Sequence, residues 1–128
     1  PLICYEIIYS GKLSKNNKNY DVIINISEDG WFGQSIGPIQ HFTHSIFRAI
    51  EEGKSIIRSS NNGLSAYVSP KGEIIKKSES THEGVFEINN LVQVKQTLFS
   101  KFGNNIFFYF LLIYISLIFF LNTNREIK

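Results

Sequence analysis

Cys4 is the only thiol in a chain of 128 residues, and it stands where the apolar run Leu2-Ile3 gives way to Tyr5 and Glu6. A strand that delivers a nucleophile to its end and then turns is a device shared by unrelated folds. With no second thiol, a disulfide within the chain is excluded. Two readings stay open: a buried, inert thiol, or a reactive one whose thiolate attacks an acyl carbon. Glu6 lies two residues on. On an extended backbone its carboxylate would share the face of Cys4; in a tight elbow it would orient a neighbour, and at a helix start it would simply be exposed.

A second group of residues is Asp29-Gly30-Trp31-Phe32-Gly33. Its glycines permit a sharp backbone path that brings Trp31 and Phe32 to a cleft, where they would line an acyl-chain pocket; alternatively Trp31 plugs the edge of the core. Arg58 with Asn61 and Asn62 forms either a polar brace beneath the Cys4 strand or a surface hairpin. His41 and His44 are three apart on a predicted helix, a spacing compatible with two metal ligands. Without a nearby Cys or a third His in range, no metal is expected, and His41 reads as a hydrogen-bonding residue at the helix start. Asn25-Ile26-Ser27 matches the glycosylation pattern but falls in a predicted buried strand, and is read as chance.

These residues need a scaffold to position them. The pattern predicts a buried strand ending at residues 2–4, a short turn or helix start over 6–9, and a polar loop over 10–20. An apolar, β-branched strand follows over 21–26, of the kind buried on both faces. Pro38 opens a predicted helix with Ile39, Phe42, Ile46, Ala49 and Ile50 at helical spacing and Gly53 as its stop, so an apolar stripe should pack on a sheet. Strands are predicted over 55–58 and 64–68, joined by a turn in which Asn62-Gly63 supplies the positive φ. A turn at 69–72 leads to a strand over 73–75, and a last short strand is predicted over 85–88. The fold class is α/β.

The formal net charge of +2 is too small for an electrostatic footprint on DNA or RNA. Lys12, Lys15 and Lys18 sit among Asn and Ser and read as a solvated loop, so no nucleic-acid partner is expected. The chain starts at Pro1 and contains no methionine, which leads to the expectation of a C-terminal piece of something longer, with room for one modest core. From Ile106 to Leu121 the sequence carries no charge. At 1.5 Å per residue that run reaches about 24 Å, and Phe102, Gly103 and the flanking asparagines extend it toward the roughly 30 Å of a bilayer core. It is predicted to be a transmembrane helix. Lys101 precedes it while Arg125 and Lys128 follow, a bias that leans toward a cytoplasmic C-terminus.

Three stretches carry a resemblance to a known family: Ile3-Cys4-Tyr5-Glu6-Ile7, residues 24–42 around Asp29-Gly30-Trp31-Phe32-Gly33 and Gly37-Pro38-Ile39-Gln40-His41-Phe42, and Arg58-Ser59-Ser60-Asn61-Asn62-Gly63. Together they resemble the C-terminal part of the bacterial apolipoprotein N-acyltransferases, membrane-embedded members of the nitrilase superfamily. The resemblance implies a partial nitrilase-like αββα sandwich over residues 1–100, followed over 101–128 by one C-terminal transmembrane helix and a short polar tail. It implies a two-stage acyl transfer without a cofactor. Cys4 takes an acyl chain from a phospholipid, and the amine of a diacylglyceryl-cysteine lipoprotein then attacks the thioester. Tyr5 and Glu6 match positions that flank and support the nucleophile, and Trp31 matches a residue near the lipid entrance. The general base Glu and the oxyanion-stabilising Lys of this family lie upstream of the Cys strand, so the 128 residues alone should be inactive. The implied location is the bacterial inner membrane, with the catalytic part on the periplasmic side.

The chain departs from that pattern at Glu28, where Asn is expected, and at Phe99 and Lys101, where Tyr and Arg are usual. Glu28 adds negative charge beside the Trp31 loop. Two other functions are carried alongside: a membrane-tethered nitrilase-type amidase, and a non-catalytic remnant that keeps the scaffold.

Overall fold

The computed structural model describes residues 1–11, 13, 20–78 and 84–126, with side chains up to residue 122. Lys12, Lys15, Lys18, Lys128 and the side chain of Arg125 lie outside the described residues. Among the described residues five strands form one sheet in sequence order: β1 (Leu2–Ile3), β2 (Val22–Glu28), β3 (Ser55–Asn61), β4 (Ala66–Val68) and β5 (Ile74–Lys77). β1, β2 and β3 run parallel, and β4 and β5 continue antiparallel. The parallel step from β2 to β3 needs a crossover, which helix α1 (Gly37–Glu52) supplies. This mixed sheet with its helix agrees with the expected α/β class.

The ends of α1 are set by local chemistry. Pro38 lies in the first turn, where its missing N–H costs nothing. Gly53 takes the left-handed conformation at the C-terminus and its N–H bonds the carbonyl of Ala49. The buried face follows the predicted apolar stripe only in part: Phe42 and Ala49 are buried and Ile46 packs against the core, but its two other members do not. His41, Phe42, Ser45, Arg48, Ala49 and Glu52 face inward, while Ile39 and Ile50 are exposed. The helix is turned toward buried polar partners: His41 bonds Asp29 beneath it, and Arg48 reaches the Ile8 carbonyl and Glu51.

β2 also differs from expectation. Ile23, Asn25 and Ser27 are buried, but Ile24 and Ile26, on the other face, remain 42% and 56% exposed. α1 covers one face of the sheet only. Ile3 pairs in register with Ile26, so Ile3, Ile24 and Ile26 form an apolar row on the uncovered face.

Between β3 and β4 the positive φ falls on Asn62, at 56°, and not on Gly63. Gly63 is required for a different reason: a Cβ there would lie 2.3 Å from the Asp29 carboxylate and 2.5 Å from the Ser60 hydroxyl. The strand predicted over 85–88 does not form. The segment leading away from it satisfies its backbone with side chains instead of a ladder: Val92 N–H donates to the Tyr67 hydroxyl at 2.8 Å, and Ser55 donates to the Val92 carbonyl at 2.7 Å. Thr97 then caps the short helix α2 (Leu98–Phe102), accepting the Ser100 N–H at 2.9 Å and donating to the Glu51 carbonyl.

α3 (Asn105–Glu126) has 22 residues, about 33 Å of helix. Over Asn105–Asn122 it is long and apolar enough to cross a membrane, with none of it buried against the rest of the chain. Its apolar side chains point outward all round, as a lipid-facing helix requires.

The close approach at Gly63 gives a test of how the β3–β4 hairpin is docked. Gly63→Ala forces a methyl against Asp29 and should lower stability by about 1–3 kcal/mol, the usual cost of overpacking. Urea unfolding of the intact protein measures it, and an unchanged midpoint would mean that the hairpin does not close on Asp29.

Candidate active site

Cys4 opens a 3-10 turn, Cys4–Ile8, directly after β1. Its φ is +48°. A left-handed backbone is costly for a residue with a Cβ, by roughly 1–3 kcal/mol, and persists only where the surroundings enforce it. The enforcing groups are identifiable. Asn25, buried in β2, donates from its amide to the carbonyls of Leu2 at 3.2 Å and Cys4 at 3.5 Å. Glu6 reaches back and accepts the Ile3 N–H at 2.7 Å. The residues on both sides of the bend are therefore tied down.

Asn25 is held in turn by the wholly buried Arg58 on β3, whose Nη1 donates to the Asn25 carbonyl oxygen. Arg58 Nη2 donates to Asp29 at 2.7 Å. Asp29, also wholly buried, accepts on its other oxygen from Ser27 at 2.8 Å and from His41 Nδ1 at 2.8 Å. Arg58 Nη2 lies 3.2 Å from the same ring nitrogen. With Nδ1 carrying its proton toward the carboxylate, both are donors and Asp29 is their shared acceptor. Burial pushes the Asp29 carboxyl up, but the hydrogen bonds from Ser27 and His41 and the charge of Arg58 outweigh it. The net direction is down, and Asp29 is ionised at neutral pH.

Above this lattice lie the aromatic rings. Tyr5 stacks on His41 with ring centres 5.0 Å apart and meets Trp31 edge-on at 5.7 Å. Phe32 packs against Tyr5, Trp31 and His41 at 6.2, 5.5 and 5.8 Å. Trp31 is 68% exposed. It does not plug the core edge; it stands as an open apolar surface against Tyr5, the residue that follows Cys4. Glu28 is absorbed locally, accepting from the Gly30 N–H at 2.6 Å and from the amides of Asn61 and Asn62. These bonds, that of Gly30 foremost, hold its carboxyl below the usual range, so the extra charge is fixed at the turn.

The fold brings Tyr5, Trp31 and Phe32 together, and Cys4 directly precedes Tyr5 in the chain. Arg58 is buried on β3, not on a surface hairpin, and is linked to the Cys4 strand through Asn25 on β2, whereas Asn61 and Asn62 bond Glu28. Glu6 is turned back onto its own turn. His41 is a hydrogen-bonding residue near the start of α1. His44 is partly buried, and burial with the nearby charge of Arg48 lowers its pKa. Among the described residues no three His, Cys, Asp or Glu side chains are grouped to hold a metal. Sequence reading names Asn25 and Ser27 only as a chance glycosylation pattern and gives them no place in the site. The trace they leave is polar residues at every second position, Asn25, Ser27 and Asp29, in an otherwise β-branched strand: one face of β2 is polar and points at something charged.

The model of the carbon-nitrogen hydrolase family matches residues 1–93, a stretch that holds every residue of this site. The chain belongs to the carbon-nitrogen hydrolase family. Within it, the chain is similar to proteins named apolipoprotein N-acyltransferase. One from Rickettsia bellii is 44% identical over 90% of this chain and 24% of its own length. One from Wigglesworthia glossinidia brevipalpis is 41% identical over 94% and 24%, and one from Bradyrhizobium diazoefficiens is 36% identical over 81% and 19%. The chain thus spans about a quarter or less of the length of these curated relatives.

Asp29→Asn would leave Arg58 buried without a counter-charge, a change that typically costs about 3–5 kcal/mol. Because the folded carboxyl lies below its ordinary value of about 3.9, the stability it contributes is full above that value and is lost as pH falls through the folded one. Unfolding midpoints measured between pH 7 and pH 2 should therefore fall steeply below about pH 4. The Asp29→Asn protein should start lower and show a shallower acid limb; equal slopes would place the titrating group elsewhere.

Proposed function

We propose that this chain is the C-terminal portion of an apolipoprotein N-acyltransferase, which moves an acyl chain from a phospholipid to the N-terminal amine of a diacylglyceryl-cysteine lipoprotein. The observation that carries the reading is the pairing of a thiol on an enforced bend with an exposed aromatic cluster, in a chain that continues into a span of membrane length. The two substrates are lipids, and their meeting place must be reachable from a bilayer.

In the first stage the Cys4 sulfur bonds to the acyl carbon as the ester C–O bond breaks, leaving the lysophospholipid hydroxyl with the proton that the thiol gave up. In the second the lipoprotein amine attacks the thioester, an amide forms, and the sulfur regains a proton. Cys4 is the nucleophile. Tyr5 and Glu6 support it, Tyr5 through its ring on His41 and Glu6 by closing the bend. Trp31 and Phe32 receive the acyl chain, and Arg58, Asn61 and Asn62 hold the strand and loop beneath. A carboxylate base and an ammonium group for the oxyanion are contributed by the part of the enzyme that precedes residue 1. Residues 1–100 act as the end of the catalytic domain and 101–128 as its anchor in the inner membrane, with the site on the periplasmic side.

The test uses the full-length enzyme in membranes with labelled phosphatidylethanolamine. Label should appear on Cys4 as a hydroxylamine-sensitive adduct, and Cys4→Ala should reduce lipoprotein acylation by about four orders of magnitude or more, as loss of a nucleophile does. Lipoprotein maturation that persists in Cys4→Ala would refute the proposal, and release of ammonia from an amide by the same cysteine would favour an amidase. Trp31→Ala should act differently, lowering kcat/KM for phospholipid about ten-fold through loss of apolar contact.

A further inference from the structure

We propose that Ser27 is a positioning residue for the nucleophile, a hydroxyl that donates to Asp29 while Cys4 is a thiol and turns to the sulfur once Cys4 is a thiolate. The inference rests on the acyl-transfer reading of Cys4. It concerns only groups inside this chain.

Among the described residues two polar atoms reach the Cys4 sulfur: the Ser27 hydroxyl oxygen at 3.8 Å and the Glu28 carbonyl oxygen at 4.0 Å. The carbonyl can only accept. Ser27 has one proton and two lone pairs, and its oxygen lies 2.8 Å from Asp29, which accepts only. The proton is therefore directed at Asp29, and the side of the hydroxyl facing the sulfur is a lone pair. This arrangement suits an S–H, which can donate to either oxygen. A thiolate there would face two acceptors and no donor.

A rotation about the Ser27 Cβ–Oγ bond removes the conflict. The proton swings from the carboxylate to the sulfur, and a thiolate gains a charge-assisted hydrogen bond. Asp29 can release it, because one oxygen keeps His41 and the other keeps Arg58. Ser27 is buried and its hydroxyl is shielded from water, while Cys4 is partly exposed, so the hydroxyl is the donor that the protein itself fixes beside the sulfur. The hydroxyl thus links the charge state of the nucleophile to the lattice that sets its backbone.

The titratable and charged groups on the elements packed around Cys4 are Tyr5 and Glu6 on its own turn, Glu28 and Asp29 at the end of β2, His41, His44, Arg48, Glu51 and Glu52 on α1, and Arg58 on β3. Any of them displaces the pH profile of the sulfur when altered. The test therefore leaves all of them in place and changes the hydroxyl alone.

Alkylation of the full-length enzyme by iodoacetamide is followed from pH 5 to pH 10, with Cys4→Ala as the background. It reads the sulfur without requiring acyl transfer, so a failure here is distinct from a failure of the acyltransferase reading, which labelled phospholipid reports. Ser27→Ala should move the profile to higher pH and slow alkylation at pH 7 about ten-fold, the usual worth of a hydrogen bond to a charged group. Ser27→Thr keeps the hydroxyl and should return the profile toward wild type, while the isosteric Ser27→Val should not. Should Ser27→Ala fail to fold, the Thr and Val pair alone decides. A Ser27→Ala profile that superimposes on wild type, or Thr and Val variants that behave alike, would overturn the proposal.

Discussion

A guanidinium with no access to water must have an anion beside it, and most of what is unusual in this chain follows from where Arg58 is placed. It lies on β3 with Asp29 against one nitrogen and Asn25 against the other. A buried pair of this kind adds little net stability over an apolar pair of the same volume. Its effect is geometric. Asp29 must sit at the end of β2, which leaves no room for a side chain at residue 63. α1 must offer it a donor, which is why His41 and not an isoleucine faces the sheet. Asn25, oriented by the same arginine, has its amide left to hold the backbone at Cys4.

The bend at Cys4 shows how the costs balance. A left-handed residue with a Cβ costs about 1–3 kcal/mol. Against that stand the two carbonyls held by Asn25 and the N–H held by Glu6, each contributing on the order of 0.5–1.5 kcal/mol. The sums are equal within their spread, so the bend is neither a reservoir of strain nor a relaxed turn. It is held by three bonds, and a change in any partner is felt at the sulfur.

What the sequence discloses and what it hides divides along the range of the interactions. Pro38 and Gly53 mark the ends of α1 because capping acts within one turn, and the strand from residue 22 declares itself by its β-branched residues. Cys4 and the Trp31 loop stand out by residue type. The inward face of α1 does not, because Ile39 and Ile50 satisfy helical spacing as well as His41 and Ser45 do; the choice is made by Asp29 and Arg58, which are remote in sequence. The same holds for residues 85–92, whose backbone is met by Tyr67 and Ser55 from two other strands. Asn25 was legible only as part of a local pattern that has nothing to do with its contacts.

The polar lattice and the aromatic surface differ in kind, one dry and fixed, the other exposed, and they meet at a single ring. Tyr5 follows Cys4 in the chain and lies on His41, its plane 22° from the imidazole. His41 cannot turn without losing Asp29, so Tyr5 cannot tilt without losing its stacking partner. Trp31 and Phe32 pack on Tyr5 and inherit that constraint. In the proposed function, an acyl chain lying along these rings would thus be aligned by an ion pair it never touches. The order of dependence runs from Arg58 to Asp29, to His41, to Tyr5 and then to the apolar wall, while a parallel branch through Asn25 fixes the backbone that carries the sulfur. Cys4 and the aromatic surface share one origin, and their relative position is preserved because both branches start at the same buried charge.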